Sequence, residues 1–107
     1  MMYYDKDGLP ISINSFAMLM ESATYRVVKQ DEALDGSWVS TVWLGFNHNI
    51  GSKKIHIFET MVFSKMEHGD TIDSRRYATQ KEALKGHEEV LKERNEAPRH
   101  HLRKLEP

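Results

Sequence analysis

The sequence predicts an α+β domain, in which an antiparallel β-meander of three to four strands carries an N-terminal helix and a longer C-terminal helix packed on the sheet. Residues 38–46 and 55–63 are rich in β-branched and aromatic side chains and flank a polar, glycine-bearing loop, which is typical of a hairpin. Thr79 opens the clearest amphipathic helical pattern in the chain. We expect one domain over residues 1–96 and a flexible C-terminal tail over residues 97–107.

The alternation of side chains predicts the register of the central hairpin. Val42 is expected to face Glu59 on one side of the sheet. On the other side, Thr41 is expected to face Thr60. Neither side alternates cleanly between apolar and polar residues, so we expect the chain's own helices, or a second copy of the chain, to cover both sides.

A third strand is predicted before this hairpin, over residues 24–34. Asp35-Gly36 is a strong signal for a two-residue turn of type I′. Pairing about that turn sets Lys29 against Val42, so that Lys29 and Glu59 flank the same valine. Glu59 is therefore expected either to be structural, in an ion pair or at a sheet rim open to water, or to be a carboxylate held in an apolar cleft and suited to acid–base catalysis, and the structural role is favoured.

Shorter elements complete the predicted fold. A turn is expected at residues 5–8, where Asp and Gly supply the turn chemistry. Ser12 is expected to cap a helix whose apolar stripe begins at Phe16 and repeats every three to four residues. A short edge strand is expected over residues 72–77.

The C-terminal helix is predicted to begin at a capping box on Thr79 and to end at Ala97-Pro98. Its apolar stripe consists of Ala83, Leu84, His87, Val90 and Leu91. Gly86 lies inside this helix and weakens it relative to alanine. We therefore expect another backbone, that of the sheet, to approach closely at Gly86.

The composition excludes several classes of protein. The 107 residues include no cysteine, which excludes a disulfide framework, a thiolate nucleophile and a cysteine zinc site. The net charge of -1 gives no overall attraction to nucleic acid, although the basic residues leave nucleic-acid binding as a weaker alternative. No apolar run is long enough to span a membrane and the N-terminus has no secretory pattern, so we expect a cytoplasmic protein without membrane contacts.

Few residues are candidates for chemistry. The catalytic candidates are Glu59, His48 and His87. The candidate binding residues lie in the loop of the central hairpin: Asn47, His48, Asn49, Lys53 and Lys54. His87-Glu88-Glu89 begins like a zinc-protease helix, but Leu91 stands where the second histidine is required. His48 and His56 lack a third ligand, so no metal site and no cofactor are predicted.

Three separated blocks of the sequence form a recognisable pattern. They are Trp38-Val-Ser-Thr-Val-Trp-Leu-Gly with His48 shortly after it, Ile57-Phe-Glu-Thr-Met-Val-Phe63, and Arg76-Tyr77-x-Thr79 followed by Glu82-Ala83 and Gly86-His87. In these blocks, which span residues 38–87, the chain resembles a family of small, mostly uncharacterised proteins of bacteriophage and prophage genomes. Residues 50–56 lack the proline-bearing run of that family. The resemblance implies a phage-associated protein of the bacterial host cytoplasm, and it brings no established activity or catalytic residues.

Two classes of function are therefore considered. As a binding module, the protein presents the His48 loop, a sheet edge or an acidic patch to a host or phage protein, as a small inhibitor of a host defence system would; a homodimer is the alternative. As a small hydrolase-like enzyme, it uses Glu59 with His48 or His87 in a cleft at the end of the hairpin. The chain leaves little room for a deep pocket and has no established catalytic motif, so the binding module is favoured.

Overall fold

The computed structural model describes residues 1–47, 53–65 and 69–105, with the backbone alone for residues 97–105. Strands and helices follow in the order β1 (Tyr3–Tyr4), β2 (Pro10–Ile11), α1 (Ile13–Glu21), α2 (Ala23–Arg26), β3 (Val27–Glu32), β4 (Trp38–Trp43), β5 (Phe58–Phe63), β6 (Thr71–Tyr77) and α3 (Gln80–Leu105). The strands β1 and β2 form a small hairpin, and β3 to β6 form an antiparallel sheet in that order. The predicted α+β class is confirmed. None of the described helices is long and apolar enough to cross a membrane.

The central hairpin has the predicted register. Thr41 lies opposite Thr60 and Val42 lies opposite Glu59. The paired region is shorter than predicted at its loop end, because β4 ends at Trp43. Beyond this point Phe46 forms an isolated antiparallel bridge with Tyr3, so the N-terminal hairpin takes the place that β5 was expected to occupy.

One face of the sheet, which we call the helix face, is covered by α3. It carries alternate residues of β4 that include Thr41 and Trp43, and Trp43 belongs to a buried cluster with Ala83 of α3. A second cluster joins Val39 of the same face to Val90. The predicted packing of the longer helix on the sheet is therefore confirmed.

The opposite face of the sheet, which we call the open face, carries Trp38, Ser40 and Val42 of β4. The strand residues of the two buried clusters, Val39, Trp43, Phe58 and Val62, lie on the helix face rather than here. Trp38 and Val42 are accordingly only half-buried. We expected both sides of the sheet to be covered. Within the described residues, α3 covers the helix face, and the open face keeps partly exposed side chains.

The turn between β3 and β4 differs from the predicted two-residue turn. The Ala33 N–H donates to the Ser37 carbonyl at 2.8 Å, so the loop contains three residues, 34–36. The Gly36 N–H donates to the Ala33 carbonyl and Gly36 has φ of 85°, which is the geometry of a type I turn followed by a left-handed glycine. The predicted register of β3 is therefore wrong by one residue, and Lys29 lies opposite Thr41 instead of Val42.

This one-residue difference moves the side chains of β3 to the other face of the sheet. Lys29 consequently lies on the helix face and forms an ion pair with Glu88 of α3. The hydrogen bond to Glu88 raises the pKa of Lys29 above its usual value. The predicted pairing of Lys29 with Glu59 is wrong, because the two side chains lie on opposite faces.

The predicted strand over residues 24–34 also begins too early. Residues 23–26 form α2, whose first turn is capped by the Ser22 hydroxyl, an acceptor for the Tyr25 N–H at 3.2 Å. Tyr25 packs edge-on against Trp43, with ring centroids 4.9 Å apart. This aromatic packing decides the local structure against the β preference of the segment.

The N-terminal elements match the prediction. Asp5 closes its turn by accepting hydrogen bonds from the N–H groups of Asp7 and Leu9, each at 2.9 Å. Ser12 caps α1 by accepting the Ser15 N–H at 3.1 Å. The side chains of the predicted stripe that pack against the buried cluster are Phe16, Leu19 and Met20.

The helix α3 begins as predicted and continues further than predicted. The Thr79 hydroxyl accepts the Glu82 N–H at 3.1 Å, and the Glu82 carboxylate accepts the Ala78 N–H at 3.4 Å, one residue before the usual partner in a capping box. The predicted end at Ala97-Pro98 is wrong, since α3 continues to Leu105. Pro98 removes one N–H donor and its ring crowds the carbonyl four residues back, so it weakens α3 without ending it. The flexibility of residues 97–107 stays a prediction.

Gly86 admits a side chain of the sheet, not the backbone that was expected. A Cβ atom at Gly86 would overlap the ring and hydroxyl of Tyr77, which lie against the helix. Burial in this position raises the pKa of Tyr77 above its usual value. The close contact explains why a residue with poor helix propensity stands here.

Polar contacts fasten the β3–β4 turn to α3. Asp35 accepts hydrogen bonds from Nη2 of Arg94 at 2.6 Å and from the Ser37 N–H at 2.9 Å. Asn95 accepts the Leu34 N–H at 2.9 Å. Burial alone would raise the pKa of Asp35, but the hydrogen bonds from Ser37 and the charge of Arg94 outweigh it and lower this pKa.

Asp35→Asn is expected to lower the free energy of unfolding by about 1 to 2 kcal/mol at neutral pH. Because the pKa is lower in the folded than in the unfolded state, this contribution is fully present above the unfolded-state pKa of about 4 and is lost as the pH falls through the folded-state value. Urea unfolding should therefore give a smaller difference between variant and wild type at about pH 2.5 than at pH 7. The matched control is Asp7→Asn in an exposed turn. An Asp35 effect that does not shrink in acid would contradict this assignment.

Candidate functional site

The two catalytic candidates that the structure describes lie on opposite faces of the sheet. Glu59 lies on the open face, opposite Val42. His87 of α3 contacts Thr41 on the helix face. The structure does not bring Glu59 and His87 together, so the proposed cleft containing both is wrong. The third candidate, His48, and the binding candidate Asn49 lie outside the described residues.

The remaining binding candidates flank the loop of the central hairpin. The Asn47 side-chain oxygen accepts the His56 N–H at 3.0 Å and so joins the two sides of the loop. Lys53 and Lys54 are exposed. A role of Asn47, Lys53 and Lys54 in binding stays a prediction.

Glu59 is a nearly buried carboxylate whose charge is compensated from the neighbouring strand. Its Oε2 accepts hydrogen bonds from Nε of Arg76 at 3.0 Å and from the Ser74 hydroxyl at 2.9 Å. Arg76 stands directly opposite Glu59 in the β5–β6 register. Sequence reasoning expected an ion pair but named the wrong cation, because the register of β3 was wrong and Arg76 was assigned only to an edge strand.

A chain of four polar side chains lies between the sheet and α3. The two threonine hydroxyls, Thr60 and Thr41, are 2.5 Å apart, and the Thr41 hydroxyl is 2.7 Å from Nδ1 of His87. At the other end of the ring, Nε2 of His87 is 2.7 Å from Oδ2 of Asp31. Each polar group in this apolar surrounding therefore has a partner, as a buried polar group requires.

The order hydroxyl, imidazole and carboxylate is that of a nucleophile, its base and an orienting acid. Burial argues against this use, since Thr41 and His87 are both fully shielded from solvent. A substrate carbonyl has no route to the Thr41 hydroxyl between β4 and α3. The chain of hydrogen bonds thus positions α3 on the sheet. Sequence reasoning missed Asp31 because the predicted register placed it on the opposite face.

The open face carries adjoining apolar side chains between more polar edges. Trp38 stands directly opposite Phe63, and Met61 lies two residues before Phe63 on the same face. All three side chains remain partly exposed. Towards the β3 edge, Gln30 donates to the Ser40 hydroxyl at 3.0 Å. Adjoining large apolar side chains that remain partly exposed beside a polar border are typical of a protein-binding surface.

Two open depressions are lined by described residues other than Glu59 and His87. One lies between the β3–β4 turn and α3, where Leu34 and Leu91 form part of the wall. The other lies between the N-terminal hairpin and α1, where Met18 and Tyr25 form part of the wall. Neither Glu59 nor His87 lines these depressions, although Glu88 forms part of the wall of the first. Comparisons with models of protein families, with curated proteins and with solved structures find no match to this chain.

Proposed function

We propose that this protein is a small phage-associated accessory protein that binds a protein of the bacterial host through its open face and inhibits a host defence system. The observation that supports binding is the adjoining surface of Trp38, Met61 and Phe63, which the chain leaves partly exposed. Aromatic residues and methionine are enriched at the centres of protein interfaces. The cytoplasm of the infected cell is the expected place of action.

The charges of the open face favour a protein partner over nucleic acid. Glu32 stands on this face opposite Trp38, and the Glu59 carboxylate is paired with Arg76. The described part of the face therefore carries no excess of basic groups that could neutralise phosphates. The complementary partner has an apolar centre with a neutral or basic border that meets Glu32. We commit to a heterologous protein, and a second copy of the chain is an alternative outcome of the test.

The setting of Glu59 favours binding over catalysis. A general acid or base must change its protonation state during the reaction and must lie within reach of a substrate. One oxygen of the Glu59 carboxylate, Oε2, already accepts hydrogen bonds from Arg76 and Ser74 and so is engaged by the chain's own side chains. His87, the other described candidate, lies on the opposite face. The small-enzyme alternative therefore rests on His48 alone.

Met61→Lys is expected to weaken binding of the host partner by at least about a hundredfold, because it places an uncompensated charge at the centre of the interface. The partner is first recovered from phage-infected cells with the wild-type protein, and the dissociation constant of the purified pair is then measured by calorimetry. The control is Met18→Lys on α1, whose side chain is 73% exposed and lies away from the open face. Circular dichroism establishes that both variants fold.

The outcomes of this comparison are distinct. A large loss with Met61→Lys and an unchanged affinity with Met18→Lys support the proposal. Equal losses in the two variants overturn the assignment of the open face. Light scattering that shows a wild-type dimer and a monomeric Met61→Lys variant overturns the heterologous partner and assigns the face to a second copy of the chain.

Glu59→Gln separates binding from catalysis. The amide still accepts the bonds from Arg76 and Ser74, so we expect the free energy of unfolding to fall by about 1 to 3 kcal/mol and partner affinity to change little. In a phage-infection assay, the inhibition of the host defence by the variant should decrease only as far as its stability does. A variant that is stable and binds normally but is inactive in infected cells would instead assign Glu59 to catalysis.

A further inference from the structure

Three side chains with metal-binding atoms converge where α3 crosses β3. Asp31 comes from β3, and His87 and Glu88 are consecutive residues of α3. One ligand atom from each of the three residues lies within 4.8 Å of the other two. The arrangement depends on the true register of β3, which places Asp31 on the helix face opposite Val39.

The imidazole of His87 is held in one orientation before any ion arrives. Its ring is fully buried, and Nδ1 lies 2.7 Å from the Thr41 hydroxyl, which in turn contacts Thr60. A ligating histidine typically uses its second ring nitrogen in such a contact, which fixes the ring and directs the other nitrogen to the ion. Here Nε2 is the nitrogen directed at Asp31.

The two carboxylates give the cluster access to solvent. The side chain of Asp31 is 35% exposed and that of Glu88 is 55% exposed. An ion can therefore reach Nε2 of His87 from the β3 edge, and water can complete its coordination. Lys29 contacts Oε1 of Glu88, so Oε2 is the oxygen available to an ion while Lys29 remains in place.

We propose that Asp31, His87 and Glu88 form a binding site for a divalent transition-metal ion of the zinc class. One imidazole nitrogen and two carboxylate oxygens suit Zn²⁺, whereas Ca²⁺ and Mg²⁺ are bound by oxygen ligands alone in most proteins. Binding requires Nε2 of His87 to give up its proton, to solvent or to Nδ1 of the same ring, so that the ion replaces the direct contact between Asp31 and His87. The site lies at the β3 edge of the helix face and is independent of binding through the open face.

The test is calorimetric titration of ZnCl₂ into full-length protein carrying His100→Gln and His101→Gln, substitutions that remove the adjacent histidine pair near the C-terminus. We expect one Zn²⁺ per chain. Asp31→Asn and Glu88→Gln, each in this background, should weaken binding about tenfold or more, because each removes one ligand. Glu89→Gln is the matched control, because Glu89 is an exposed neighbour of Glu88 on α3, and it should leave the affinity for Zn²⁺ unchanged. MgCl₂ should not compete.

Histidine ¹⁵N NMR provides a readout that a merely structural role of these residues would not move. On addition of Zn²⁺, the Nε2 resonance of His87 should shift because the ion replaces the proton on this nitrogen, and Nδ1 is then the nitrogen that carries the ring proton and donates to Thr41. Zn²⁺ that binds the Asp31 and Glu88 variants as tightly as the Glu89 control, or that shifts only other histidines, overturns the proposal. Glu88 is exposed, so its variant tests the site even where Asp31→Asn reduces folding.

Discussion

His87→Ala is expected to lower the free energy of unfolding by about 3 to 5 kcal/mol. The change removes a fully buried ring and leaves a cavity between β4 and α3. It also deprives the Thr41 hydroxyl and the Asp31 carboxylate of their partner. Urea unfolding followed by circular dichroism measures the loss. A variant within about 1 kcal/mol of wild type would show that the hydrogen-bonded chain does not hold α3 on the sheet.

Two further variants separate the hydrogen bonds from the volume of the ring. Thr41→Val keeps the shape of the side chain and should cost about 1 to 3 kcal/mol, because it leaves groups of both His87 and Thr60 without their partner. The double variant Thr41→Val/Thr60→Val should lose less free energy of unfolding than the sum of the two single variants, because Thr60 has already lost its contact once Thr41 is replaced. Strict additivity would argue against a coupled chain.

Trp43→Ala is expected to cost about 3 to 5 kcal/mol and to release the N-terminal part of the chain from the sheet. The buried Trp43 ring packs edge-on against Tyr25, and its centroid lies 5.8 Å from that of Phe16. Its Nε1–H donates to the Tyr4 carbonyl at 3.0 Å. Because β1, α1 and α2 all meet this one ring, hydrogen exchange at the Tyr4 amide should accelerate more than exchange in β5.

Trp43→Phe is the matched control for this result. It retains an aromatic ring against Tyr25 and Phe16 but lacks the donor to Tyr4, so we expect a loss of roughly 1 to 2 kcal/mol. Protection at the Tyr4 amide should then fall only slightly. Equal losses in the two variants would mean that the hydrogen bond, not the packing, secures the N-terminal hairpin.

These results would assign different tasks to the two faces of the sheet. The helix face stabilises the fold through Trp43 and the buried clusters under α3. It does so also through the series of hydrogen bonds that runs from Thr60 to Asp31. The open face keeps Trp38 and Met61 partly exposed and so remains free to bind. A substitution on the helix face should therefore change stability and affinity together, whereas one on the open face should change affinity more.

Local sequence signals predicted most of the architecture. The alternation of side chains in residues 38–43 and 58–63 determined the register of the central hairpin. A shift by one residue would move the apolar side chains of a strand to the other face of the sheet. Ser12 and Thr79 marked the starts of α1 and α3, because each supplies a hydroxyl for the free N–H groups of a first helical turn. The caps depend on residues within a few positions of one another, and the hairpin register follows from the alternation within each of its two strands.

Tertiary structure decided the remaining features, which depend on contacts between distant segments. Asp35-Gly36 is compatible with both a two-residue and a three-residue turn, and the contacts of Asp35 and Leu34 with α3 accompany the three-residue form. That choice alone brought Asp31 to His87 and separated Lys29 from Glu59. Glu59 took its charge partner from β6, and Gly86 made room for a tyrosine ring instead of a backbone. The sequence by itself determined the alternation of the central hairpin and the buried positions Ala83, His87 and Val90 of α3, although Leu84 of the predicted stripe is exposed. The faces and partners of the β3 side chains depended on a one-residue register that accompanies packing against α3.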